Sequence, residues 1–315
     1  MKRALIGVFL VVACTTKSDT KSSDSSSTTS AQADRPIAIV HDGLSSPEAL
    51  SFDPTRNVYF VSNINGDPGI KDGNGFITRI TADGVVDSLH FIQGGRNGVT
   101  LNAPMGSRVQ GDTLWVLDVD VLRGFDTRTG APFKAIDLAP QGAGFLNDLT
   151  IGPDGDFYIT DTGMRPVSGN LQHVAPDRIY HVDRARRVTI ALETPALSMP
   201  DGIGWDPTGR RIVLAPFGGK AVQEWHPGDQ APKDVAPGPS KFDGVEVEPD
   251  NSVLITVWND SSVSTLEGNK LVKRLRLSMP PADASVDVSR GRVGVVSVAV
   301  DRFELWPWPR PDAVR

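Results

Sequence analysis

A chain of 315 residues is long enough to bury a substantial core, and its 31 Gly and 24 Pro among short aliphatic and aromatic clusters suit a turn-rich all-β protein better than a helical one. Its net charge of −6 leaves no basic footprint for a nucleic acid and excludes that class of partner. The single cysteine, Cys14, excludes an internal disulfide and leaves the folded body without thiol chemistry.

Lys2 and Arg3 open the chain, and Ala4 to Ala13 form an apolar run of ten residues, too short to span a bilayer. This is the pattern of an export signal, expected over 1–13. Its end, Val11-Val12-Ala13-Cys14, resembles the lipobox of bacterial lipoproteins, which implies cleavage before Cys14 and lipidation of that residue. Thr15 rather than Asp follows it, which fits outer-membrane delivery. The expectation is an exported protein, lipid-anchored to the bacterial cell envelope. Residues 14–35 carry the anchor and a disordered Ser/Thr-rich tether that has only two Ala as apolar residues and cannot form a core. Residues 36–315 are expected to fold as one domain.

In that domain one phrase recurs. Pro47-Glu48-Ala49-Leu50-Ser51-Phe52-Asp53-Pro54 precedes Val58 to Val61, and Pro200-Asp201-Gly202-Ile203-Gly204-Trp205-Asp206-Pro207 precedes Ile212 to Leu214. Looser copies are Leu146-Asn147-Asp148-Leu149-Thr150-Ile151-Gly152-Pro153 and Phe242-Asp243-Gly244-Val245-Glu246-Val247-Glu248-Pro249, with weak ones at Pro104-Met105-Gly106 and Pro281-Ala282-Asp283. The second residue of each phrase serves as an anchor: Glu48, Met105, Asn147, Asp201, Asp243 and Ala282, separated by 57, 42, 54, 42 and 39 residues. A repeat of that length signals a propeller or solenoid. Apolar residues alternate within each phrase, the mark of a half-buried strand, and Asp-Pro and Pro-Asp-Gly mark hairpin turns.

Two or three further strands follow each copy, so the unit is a four-stranded antiparallel blade and the fold an all-β, six-bladed β-propeller. The last unit lacks an outer strand. The spare strand Ile37 to His41 is expected to supply it and close the ring.

In a propeller the innermost strands start at one mouth of the central channel, so the anchors converge there. Glu48, Asn147, Asp201 and Asp243 then form a one-sided ring of oxygen donors, completed by apolar Met105 and Ala282. Crowded carboxylates repel and protonate unless a cation neutralises them. Each Asp or Asn taken singly is better read as a cap on its own strand, but four at one register favour a metal. The donor set points to Ca2+, or to Mg2+ or Mn2+, with Zn2+ further down the order.

The phrases PEALSFDP, LNDLTIGPDGDFYITDTG, PDGIGWDPTG and FDGVEVEPDN resemble the senescence marker protein, gluconolactonase and regucalcin-like family of six-bladed propellers over residues 40–300. The resemblance implies a divalent cation at the channel mouth on Glu48, Asp201 and Asp243, with Asn147 nearby. It also implies hydrolysis of lactones or esters. Asp201 stands where the family usually has Asn. The added charge should tighten cation binding and weaken the polarisation of a substrate carbonyl. Fluorophosphatase-like relatives imply a possible second metal at Glu246, three residues after Asp243.

A hydrolase of this kind needs a general base, for which Asp243, Glu48 and His173 are candidates. His173 falls in the long loop from Thr162 to Arg178 that should overhang the metal mouth, and Asn102, Arg165 and Trp258 should rim it as substrate contacts. The competing expectation is a non-catalytic cell-surface propeller that binds a ligand or protein partner around a structural cation. Either form is expected to be a monomer.

Overall fold

The computed structural model describes residues 35–308, so the expected export signal, Cys14 and the tether before residue 35 lie outside the described residues, as does the segment from 309 onward. Six four-stranded antiparallel sheets succeed one another along the chain. Their inner strands are Pro47–Asp53, Pro104–Gln110, Leu146–Ile151, Pro200–Asp206, Phe242–Val247 and Ala284–Asp287. Each inner strand lies against the next, and that of blade 6 lies against that of blade 1, so the order is cyclic. This is a six-bladed propeller, as the repeat predicts.

Ring closure also follows the expectation. The strand Ala38–Val40 pairs antiparallel with Arg302–Pro307, with Ala38 opposite Leu305 and Val40 opposite Phe303, and serves as the outer strand of blade 6. The edge of the last blade is thereby covered, and the start of the ring is bonded to its end.

The two-residue period explains the packing between blades. In the second strand of blade 1, Val58 and Phe60 point into the layer shared with blade 2, while Tyr59 and Val61 point into the layer shared with blade 6. Blade 4 does the same, with Ile212 and Leu214 toward blade 3 and Val213 and Ala215 toward blade 5. Every blade is thus apolar on both faces, and six interblade layers make up the core. The Asp of the phrase closes the hairpin after it: Asp53 Oδ1 accepts from the N–H groups of Thr55 and Arg56, and Asp206 Oδ1 from those of Thr208 and Gly209.

Two details depart from the sequence reading. The loop after Thr162 contains its own hairpin, Met164–Val167 paired with Asn170–His173, because Ser168 and Gly169 take positive φ values of 50° and 79° and form a tight two-residue turn. The inner strand of blade 6 starts at Ala284, so Ala282 and Asp283 precede it, held by bonds between the Ala282 N–H and the Val296 carbonyl and between the Val296 N–H and the Asp283 carbonyl.

Candidate metal centre

In blades 1 to 5 the inner strand slips register with its neighbour at the anchor itself: between Pro47 and Ala49, Pro104 and Ser107, Leu146 and Leu149, Pro200 and Gly202, and Phe242 and Val245. A bulge of this kind re-aims side chains, and here it turns consecutive residues toward the channel axis. The residue after each anchor is Ala49, Gly106, Asp148, Gly202, Gly244 or Asp283. The glycines are required by crowding. A Cβ on Gly202 would lie 2.1 Å from the Asp243 carbonyl oxygen, and one on Gly244 would lie 2.3 Å from Asp283 Oδ1.

Glu48, Asp201 and Asp243 meet at the mouth. One carboxylate oxygen from each lies within 4.8 Å of the others, and all three side chains are buried. Asn147 completes the set: its amide N–H donates to Asp201, while its Oδ1 is buried without a hydrogen-bond partner. The pocket between them has a volume of about 10 Å3, enough for a single water-sized occupant.

Burial pushes the Glu48, Asp201 and Asp243 carboxyls well above the usual carboxylate range, and repulsion from their acidic neighbours pushes them further. Three converging carboxylates, one partnerless amide oxygen and no nitrogen or sulfur donor fit a hard divalent cation of the Ca2+ type. The four oxygen-bearing anchors all line this one pocket, whereas the expected apolar members of the ring do not: Met105 packs into the layer between blades 2 and 3 and Ala282 into that between blades 6 and 1.

Two further acids that sequence reasoning missed, Asp148 and Asp283, line the inner side of the same pocket. Asp148 Oδ2 accepts from the Ile203 N–H at 3.2 Å, and Asp283 Oδ2 from the Leu50 N–H at 3.3 Å, so each carboxylate bridges to the next blade. Burial raises both, Asp283 to about 8, while Arg108 pulls them back. Arg108 is their cation. Its Nη2 lies 3.3 Å from Asp148 Oδ2 and 2.9 Å from the Val245 carbonyl, and its Nη1 lies 3.9 Å from Asp283 Oδ2. The signal was present in the Asn147-Asp148 and Ala282-Asp283 doublets, but strict alternation places the second residue of each away from the axis.

The other expected site residues are placed as follows. Glu246 is half-buried and belongs to no second cluster of three ligand-capable groups among the described residues. His173 stands apart from the metal pocket: its Nε2 is 2.7 Å from Asp177 Oδ1, and Asp177 Oδ2 accepts from the Met199 N–H, so this pair ties the hairpin to the approach to Asp201. Asn102 is likewise engaged, donating from Nδ2 to Asp118 and accepting at Oδ1 from the Gly73 N–H. Arg165 donates to Asp161 and to the carbonyls of Gly142 and Met164. The loops' own polar groups need partners, and these three side chains supply them.

Trp258 differs. Its Nε1 is buried without a partner, and its ring meets Phe217 at 5.8 Å in an edge-on contact. Trp258 follows Val257, which pairs with Phe242, and Phe217 follows Pro216, which pairs with Pro200. Both therefore stand at the metal mouth beside the blades that carry Asp201 and Asp243.

No protein-family model and no curated protein matches the chain. Solved structures do. A gluconolactonase from Xanthomonas campestris superposes with a TM-score of 0.64 at 15% identity, over 87% of this chain and 89% of that one. Regucalcin, a calcium-binding protein from Agrobacterium tumefaciens, gives 0.61 at 15% identity over 88% and 95%. A luciferin-regenerating enzyme gives 0.62 at 10% identity over 85% and 94%. The chain shares the fold of these propellers. At such identities the likeness covers backbone architecture, and the chemistry has to be argued from the residues at the mouth.

Proposed function

We propose that the protein is a divalent-cation-dependent hydrolase of lactones or esters, working at the channel mouth ringed by Glu48, Asn147, Asp201 and Asp243, with Ca2+ as its cation. The observation that carries the reading is the partnerless Asn147 Oδ1 beside three buried carboxylates, set at the mouth of a fold shared with a gluconolactonase and a calcium-binding regucalcin. A cation held there supplies Lewis acidity toward a lactone or ester carbonyl.

The chain's own groups supply the rest. The Asn147 N–H orients Asp201. Asp243 or Glu48 accepts the proton at a carboxylate oxygen, which needs no histidine. The Phe217–Trp258 pair forms an aromatic wall beside the mouth, against which the apolar part of a substrate can rest. The extra charge at Asp201 favours holding the cation over polarising the carbonyl, so slow turnover is expected. The export pattern and Cys14 support a protein tethered by a lipid to the cell envelope, and in this reading it works there as a monomer.

The test is hydrolysis of a panel of lactones and aryl esters with and without chelator, alongside metal analysis. Activity that chelator abolishes, Ca2+ restores and D243N removes is expected. Binding of Ca2+ without turnover of any member of the panel would make this a binding module instead.

A further inference from the structure

The inner strands run on past the metal centre, and three residues beyond the anchors, about 10 Å along a strand, the channel opens at the opposite mouth into a cavity of about 260 Å3. That volume is just below the usual range for ligand pockets and suits a fragment-sized molecule. Its two charged lining residues come from blades on opposite sides of the ring, Arg108 from blade 2 and Glu246 from blade 5. The remaining positions of that tier are small (Ser51, Thr150, Gly204 and Ser285), which leaves room beside Arg108. One residue further out, Phe52, Ile151, Trp205 and Val247 form an apolar collar.

The two charges are not equally answered. Arg108 reaches across the channel to Asp148 and Asp283 and donates to the carbonyls of Ser107 and Val245, so its charge is met directly. Glu246 accepts from the Ser285 hydroxyl at 3.1 Å and from the Val286 N–H and feels the Arg108 charge at longer range, but it forms no direct ion pair among the described residues. Its hydroxyl neighbours are already engaged: Thr150 Oγ1 accepts from the Trp205 N–H, and Ser51 Oγ donates to the Ser107 carbonyl. One cation thus serves three carboxylates, Asp148, Asp283 and at longer range Glu246, so the surplus charge is negative; Glu246 carries it half-buried, facing an apolar rim with two aromatic rings.

We propose that this distal cavity is a second ligand site, which takes a small primary amine as its ammonium ion: the ammonium on Glu246, and the apolar body against Phe52 and Trp205. An anion would be repelled by the floor. A neutral alcohol would leave Glu246 with only its share of the Arg108 charge. An ammonium satisfies the carboxylate and finds aromatic faces at the collar. The site lies a tier away from the metal centre, with Arg108 between them, and requires no turnover there.

Calorimetric titration of the purified chain in Ca2+ buffer with n-pentylammonium and phenethylammonium, against 1-pentanol and pentanoate, tests this. Both amines are expected to bind, the alcohol about tenfold or more weaker, as for loss of a charge-assisted hydrogen bond, and pentanoate not at all. E246Q is expected to lower amine affinity by a similar factor while still unfolding cooperatively, and Trp205→Leu to weaken phenethylammonium more than pentylammonium. D243N is expected to bind both amines as the natural chain does. No heat with either amine, equal binding of pentanol, unchanged affinity in E246Q, or loss of amine binding in D243N would each overturn the proposal.

Discussion

Removing the cation should make the stability of this protein fall as pH rises from about 4 to about 8, the reverse of the usual behaviour of paired carboxylates. Glu48, Asp201, Asp243 and Asp283 all have folded-state affinities for protons above those of the unfolded chain, chiefly through burial, with Asp283 pushed up to about 8. Through that window the folded state binds more protons than the unfolded one. The slope of unfolding free energy with pH is then negative: stability is full below the ordinary carboxylate range near 4 and is lost as pH climbs toward the folded value.

One proton retained by the cluster amounts to about 1.4 kcal/mol per pH unit, so roughly 3 kcal/mol disappears between pH 5 and 7. A saturating divalent cation answers the ionised form, and at one hundred times its dissociation constant adds about 2.7 kcal/mol. Urea unfolding of the purified chain at half-unit pH steps, in chelator and in millimolar Ca2+, reads both effects. A falling curve in chelator and a flat or rising one in Ca2+ are expected. Flat stability in chelator, or curves that coincide, would show that the carboxylates at this mouth neither repel as described nor hold a cation.

Asn147→Leu keeps the shape of the side chain but removes both the free oxygen and the N–H that orients Asp201; Ca2+ affinity in titration calorimetry should fall about 10- to 100-fold with the fold intact. Arg108→Met leaves Asp148 and Asp283 without their cation, and loss of one partner from a buried pair typically costs about 3–5 kcal/mol, visible as a lowered melting temperature that recovers at acid pH as the two carboxyls protonate. Gly244→Ala forces a methyl against Asp283 Oδ1 and the Asp283 Cα, at 2.3 Å and 3.0 Å, and should destabilise by about 1–3 kcal/mol while weakening Ca2+ binding, because the strands of blades 5 and 6 must part. Deletion through Val40 strips the outer strand from blade 6, and light scattering should report association through the bared edge of Arg302–Pro307.

What the sequence by itself determined is the repeat and everything that follows from periodicity: six blades, alternating residues feeding two interblade layers, closure by Ala38–Val40, and four oxygen-bearing anchors at one register. These are legible because a strand has period two and a propeller maps equal positions in each unit onto one ring. Only the tertiary structure decided what lies around those anchors. The bulge at the blade 3 anchor turns Asp148 inward and Asp283 sits just before the blade 6 strand, so both join the channel against the alternation rule, and Arg108, which carries no motif, becomes their counter-charge. His173, expected as a candidate base, and Asn102 and Arg165, expected as substrate contacts, are bonded to Asp177, Asp118 and Asp161. A polar side chain at a loop is spent on the nearest unmet group in space, and that partner is set by how the blades pack rather than by spacing along the chain.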